Sequence, residues 1–193
     1  MEVAFYGGSF NPPHVAHVLA VSYVLSTGGF ARVLVVPVPA HALDKQLVPF
    51  EDRLRMCELA LGWLPGVEVS PIEQSLPLPS RTLNTLKALK AQHPDWSLRL
   101  VIGADVLLET QKWHAFEQVA ELAPPLVLGR VGVVHPAAPP PILPDVSSTR
   151  VRELLARRKT DSGVLSELER LVPRPVLEYV ERHELYTLAD GPR

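Results

Sequence analysis

The sequence holds a single cysteine, Cys57, which excludes an internal disulfide and any zinc site built from several cysteines. No apolar run approaches the ~18 residues that a membrane span needs. No basic residue precedes Arg32, so the positively charged start of a secretory signal is not expected. An excess of one charge is lacking too: 19 basic residues stand against 21 acidic ones, a formal net charge of −2. That balance removes any bulk electrostatic case for nucleic acid or a membrane surface. Several catalytic signatures are missing. No Gly-Lys-Ser/Thr forms a P-loop, and no G-x-G-x-x-G marks a dinucleotide-reducing enzyme. No G-x-S-x-G or Cys/His arrangement suggests a covalent nucleophile.

What is present is globular. The chain has 193 residues, 47% hydrophobic and 21% charged, enough for one domain with a real core. A cytoplasmic location is expected. Val3 to Tyr6 reads as a short buried strand that stops at Gly7-Gly8. An apolar-rich helix follows from about His14 to Ser26. Val33 to Val38 is a second strand, and Phe50 to Leu61 is helical, with Leu54, Cys57 and Leu61 at helical spacing. Val67 to Val69 is a third strand. Ser80 opens a helix to about Gln92, with Leu83, Leu86 and Leu89 inward. Leu98 to Ile102 and Leu126 to Leu128 are further strands. Five prolines between Pro136 and Pro144 predict an extended loop without regular structure. Helices are expected from Arg150 to Arg158, capped by Ser147-Ser148-Thr149, and from Pro173 to His183. This alternation predicts an α/β fold: a doubly wound parallel sheet with helices on both faces. Ligands of such sheets bind beyond the carboxyl ends of the strands, where Gly7-Gly8 and Gly103 converge.

The richest segment is Gly7-Gly8-Ser9-Phe10-Asn11-Pro12-Pro13-His14-Val15-Ala16-His17. Glycines after a strand let the backbone approach a ligand, and the next helix offers free N–H groups and its positive dipole end. His14 and His17, three apart, are expected on one face of the first turn, where two donors suit a phosphate chain. The bland alternative is one capping and one packed histidine. A metal site is disfavoured, since no carboxylate or third histidine stands near. Ser147-Ser148-Thr149-Arg150-Val151-Arg152 either holds oxygen anions with hydroxyls and an arginine one turn in, or is an ordinary N-cap with a solvated arginine.

Together, G-G-S-F-N-P-P-H-x-x-H and S-S-T-x-V-R resemble the nucleotidyltransferase α/β phosphodiesterase superfamily. Within it the chain looks most like the bacterial nicotinate mononucleotide adenylyltransferases, over nearly its whole length. Phe50-Glu51-Asp52-Arg53, Ile102-Gly103-Ala104-Asp105 with Trp113, and Val172-Pro173 to Leu185-Tyr186 resemble segments of that family. The resemblance implies a Rossmann-like nucleotidyltransferase domain over residues 1–193, with 147–186 as its C-terminal helical part. It implies adenylyl transfer from ATP to nicotinate mononucleotide in NAD biosynthesis, with Mg²⁺ carried on the ATP phosphates. By that resemblance His14, His17, Lys45 and Arg152 are catalytic. Gly8, Ser9, Phe10, Gly103, Asp105, Ser148 and Thr149 contact ATP, and Thr85 and Trp113 line the mononucleotide pocket; Arg81, on the segment that carries Thr85, adds a positive charge there that favours a carboxylate. Arg81 and Asn84 stand where the family usually has tyrosine and aspartate, and Pro39 to Lys45 departs from its usual P-P-H-K run. The rival readings are a sister enzyme for nicotinamide mononucleotide or phosphopantetheine, and a nucleotide-binding module without catalysis. Expected partners are the two substrates, with no nucleic acid and no membrane; a homo-oligomer is left open.

Overall fold

A computed structural model of the chain describes residues 1–39 and 47–187. The sheet is built from β1 (Glu2–Gly8), β2 (Arg32–Pro37), β3 (Val67–Val69), β4 (Ser97–Gly103), β5 (Pro125–Arg130) and β6 (Pro141–Leu143). The helices are α1 (Val15–Thr27), α2 (Phe50–Leu61), α3 (Thr82–Gln92), α4 (Phe116–Leu122), α5 (Ser148–Arg157), α6 (Leu165–Leu171) and α7 (Arg174–Arg182). All strand pairs are parallel, in the order β3-β2-β1-β4-β5-β6. The chain runs outward from β1 to β3, then returns to lay β4 on the other side of β1. That reversal opens a crevice above the carboxyl ends of β1 and β4.

Strand alternation divides the core. Val3 and Phe5 of β1 face one way with Leu34, Leu100 and Ile102. They pack under Leu83, Leu86 and Leu89 of α3 and Val119 of α4. Ala4 of β1 faces the other way with Val33, Val35 and Val101. This second face is covered by α1 and α2, and α5, α6 and α7 join the same apolar cluster through Val151, Leu168 and Val176. The sequence expectation of helices on both faces of a parallel sheet is met. Both faces are apolar because βα crossovers cover them, which is why the strands read as valine and leucine runs. Among the described residues, no helix is long and apolar enough to cross a membrane.

Four elements differ from the sequence reading. The proline-rich segment contains a strand after all: β6 pairs with β5 through Gly129 and Arg130. It lies at the sheet edge, the one place where proline's missing N–H costs no ladder bond. The helices α4 and α6 were missed, each only seven residues long. His14 is the N-cap of α1 and not a residue of its first turn: its backbone is extended, with φ −143° and ψ 177°.

Candidate active site

The loop after β1 turns sharply. Phe10 takes a left-handed φ of +45°, a strained conformation for a side chain of that size. Its ring packs edge-on to Tyr6 and His17, at centroid distances of 5.6 and 5.0 Å. The peptide between Asn11 and Pro12 is cis. His14 then caps α1, and its backbone N–H donates to Nδ1 of His17 at 3.0 Å. The two imidazole rings lie 3.9 Å apart. Because Nδ1 of His17 accepts, a neutral His17 carries its proton on Nε2 and offers it as a donor.

His14 is 4% exposed. Among the described residues, its Nδ1 is the one buried side-chain polar atom without a hydrogen-bond partner. Burial, and next the charge of Arg130, push its pKa down to about 3. Burial, His14 and Arg130 hold His17 well below the usual histidine range. Both imidazoles are therefore uncharged at neutral pH. The two histidines expected together do stand side by side, as neutral imidazoles and not as cations.

A second helix start meets the first. Ser147 caps α5 by accepting the Arg150 N–H at 3.2 Å. The Ser148 hydroxyl donates to the Pro12 carbonyl at 3.0 Å. Arg152 donates to the Asn11 carbonyl at 2.9 Å and to Thr149 Oγ1 at 3.2 Å. The N-terminal ends of α1 and α5 thus converge at the loop of residues 9–14. Ser147 fulfils the ordinary capping reading, while Ser148 and Arg152 stitch α5 onto the loop.

These elements bound one end of a cavity of about 480 Å³. Gly8, Ser9, His14, His17 and Ser148 line this end. Asp105 enters from the turn after β4. A Cβ on Gly103 would collide with the Asp105 carboxylate, so that position admits only glycine while the carboxylate stays. The other end is walled by Ser80, Arg81 and Thr82 at the start of α3, and by Trp113, whose ring meets Phe116 edge-on at 5.8 Å. Thr85 sits behind this wall, 1% exposed, with its hydroxyl donating to Glu73 at 2.7 Å. Asn84 is exposed on α3. Lys45 lies outside the described residues.

Two arginines received no role from the sequence. Arg130, at the carboxyl end of β5, lines the cavity, approaches Asp105 at 3.4 Å and donates to the Val146 carbonyl. A cation ending an apolar strand on the ligand side of a parallel sheet was the available signal. Arg53 is fully buried on α2 and donates to the carbonyls of Ser9, Val38, Pro39 and Val48, at 2.7–3.2 Å. It ties the glycine loop to the residues that flank 40–46. A charge four residues before Cys57, on the apolar stripe of its helix, was the clue.

The cytidylyltransferase-like family model matches residues 5–154. A protein of Anaeromyxobacter dehalogenans named "Probable nicotinate-nucleotide adenylyltransferase" is 47% identical over 189 residues, covering 96% of each chain. A Myxococcus xanthus protein of the same name is 40% identical, covering 100% of this chain and 98% of its own. Among solved structures, the fold is shared with Plasmodium falciparum nicotinic acid mononucleotide adenylyltransferase complexed with NaAD. The TM-score is 0.80 at 18% identity, over 96% of this chain and 97% of that one.

Proposed function

The chain belongs to the cytidylyltransferase-like family, and we propose that it transfers the adenylyl group of ATP to nicotinate mononucleotide. The products are nicotinate adenine dinucleotide and pyrophosphate, and the reaction belongs to NAD biosynthesis. The observation that carries this reading is one cavity with two unlike ends. One is made of two helix N-termini and polar donors, suited to a phosphate chain. The other is walled by Trp113 and Arg81, suited to a flat, negatively charged ring. The 47% identity to a named adenylyltransferase supports the same assignment.

A phosphate oxygen of the mononucleotide attacks the α-phosphorus of ATP. A new P–O bond forms there as the bond to the bridging oxygen breaks, and pyrophosphate leaves with that electron pair. The attacking phosphate is already ionised at neutral pH, so no side chain has to remove a proton. The protein's task is to align two anions and offset their repulsion. His17 donates Nε2–H, and His14 adds a second imidazole. Full positive charge comes from Arg130, Arg152 and Lys45, with partial charge from α1 and α5. Gly8, Ser9 and Phe10 hold the nucleotide through the backbone, Gly103 and Asp105 receive the adenosine ribose, and Ser148 and Thr149 close on the phosphates. Trp113 and Arg81 form the acceptor end, with Thr85 behind them bonded to Glu73 and not in the lining. Mg²⁺ carried on the triphosphate would supply further neutralising charge there.

Pyrophosphate release from ATP, measured with nicotinate and nicotinamide mononucleotides side by side, tests the reading. The expected result is turnover with a higher kcat/KM for the nicotinate compound. No turnover with either compound, or turnover only with an unrelated phosphorylated acceptor, overturns it.

A further inference from the structure

Adenylyl transfer as described has no direct use for one carboxylate in the cavity wall. Glu73 lies in a short 3-10 turn (Ile72–Ser75) after β3, and it is 3% exposed. One oxygen accepts the Thr85 hydroxyl at 2.7 Å, and the other accepts the Ser80 hydroxyl. Burial pushes its pKa above the usual carboxylate value, and the two hydroxyl bonds only partly oppose that. Among the described residues no cation forms an ion pair with it.

An unpaired buried carboxylate is a costly way to pack the start of a helix. A neutral side chain of the same shape would serve packing alone at less cost. What the charge adds is strength: hydrogen bonds to a carboxylate are roughly twice as strong as neutral ones. Both bonds end on the same short segment. Ser80 lines the cavity, and Thr85 is in turn tied to the Arg81 carbonyl through its backbone N–H at 3.3 Å. Glu73 therefore grips the first turn of α3 at two points. Between those points lie Arg81 and Thr82, which face the acceptor end of the cavity.

We propose that Glu73 is a positioning residue for the acceptor mononucleotide, anchoring Ser80 and Thr85 so that the wall from Ser80 to Thr82 is rigid enough to discriminate the acceptor's ring substituent. This rests on the reading of the cavity as an adenylyltransferase site. A held wall rejects a misfitting acceptor because it cannot relax around it; a loosened wall tolerates both. The phosphate end shares none of these contacts, so its affinity for ATP is independent of Glu73.

The test is Glu73→Gln, which keeps length and shape but loses the charge and one acceptor oxygen. Steady-state constants for ATP and for the nicotinate and nicotinamide mononucleotides are compared with those of the wild type. The KM for nicotinate mononucleotide should rise about tenfold, the equivalent of one charge-assisted hydrogen bond. The KM for ATP should stay within about twofold, and the ratio of kcat/KM between the mononucleotides should move toward one. An unchanged acceptor KM, or ATP and acceptor KM rising together, overturns the proposal. If circular dichroism finds the variant unfolded, Ser80→Ala and Thr85→Val each delete one anchoring hydroxyl and must give the same split. A wild type that turns over neither mononucleotide overturns the functional reading and this proposal with it. An active wild type with no split in the variants overturns the Glu73 proposal alone.

Discussion

The Arg152 guanidinium donates a 2.9 Å hydrogen bond to the main-chain carbonyl of Asn11, joining the second turn-start of the phosphate end to the first across 141 positions. A second nitrogen of the same group reaches Thr149 Oγ1. One planar fork thus fixes the loop after β1 against α5. Lysine carries the charge but can satisfy only one of these directions at a time. Arg152→Lys should lower kcat/KM for ATP by about 10- to 100-fold, with a melting temperature close to the wild type's. Retained activity with a lower melting temperature would make Arg152 a structural residue only.

His17 offers a parallel test. Its Nδ1 is occupied by the His14 backbone, which directs Nε2–H toward the cavity. His17→Ala removes that donor and should cut kcat by about 10²- to 10³-fold, the usual cost of losing one transition-state contact of this kind. Turnover near the wild-type value would restore the packed-histidine reading.

Arg130 sits where its charge opposes protonation of both imidazoles. In Arg130→Gln the pKa values of His14 and His17 should both rise, which histidine ring resonances followed by NMR across pH would record. Turnover should fall as well, by about 10²-fold, because a cavity-lining cation is lost. Unmoved histidine titrations would mean that burial alone holds the rings neutral.

Acid should weaken the fold through His14. Its pKa in the folded protein is about 3, against about 6.5 for an exposed imidazole. Between those values the unfolded chain binds the proton and the folded chain does not. The contribution is fully present above about pH 6.5 and is lost as pH falls toward 3. Melting temperature should therefore drop between pH 7 and pH 5, and drop less steeply in His14→Asn, which cannot titrate there. Parallel curves for the two proteins would contradict the buried neutral state of His14.

The sequence was informative where residue types and punctuation within one segment mark the element. Phe50 to Leu61 and Val67 to Val69 are seen with the predicted bounds, and α3 and α5 start within two residues of theirs. It was uninformative where length or position hid the signal. Seven residues of α4 span two turns, too few for a helical period to stand out. β6 is defined by its pairing to Gly129 and Arg130, which no local pattern announces. In the site, the glycine loop and the paired histidines could be read from spacing. The neutrality of those histidines could not, since it arises from burial and from Arg130, more than a hundred positions away. Arg53 and Glu73 escaped for the same reason: their partners are carbonyls and hydroxyls on other elements.

The loop after β1 is encoded near the beginning of the chain but completed near its end. Asn11 is held by Arg152 through its carbonyl and by the Tyr186 hydroxyl, at 2.8 Å, through its side chain. The second of these bonds spans 175 positions. During synthesis, strands β1 to β4 can pair well before Tyr186 has left the ribosome, since they need only residues up to Gly103. A nascent chain can thus acquire its sheet early while its nucleotide loop still lacks both clamps. The geometry of that loop is set last, by the two bonds that reach it from α5 and Tyr186.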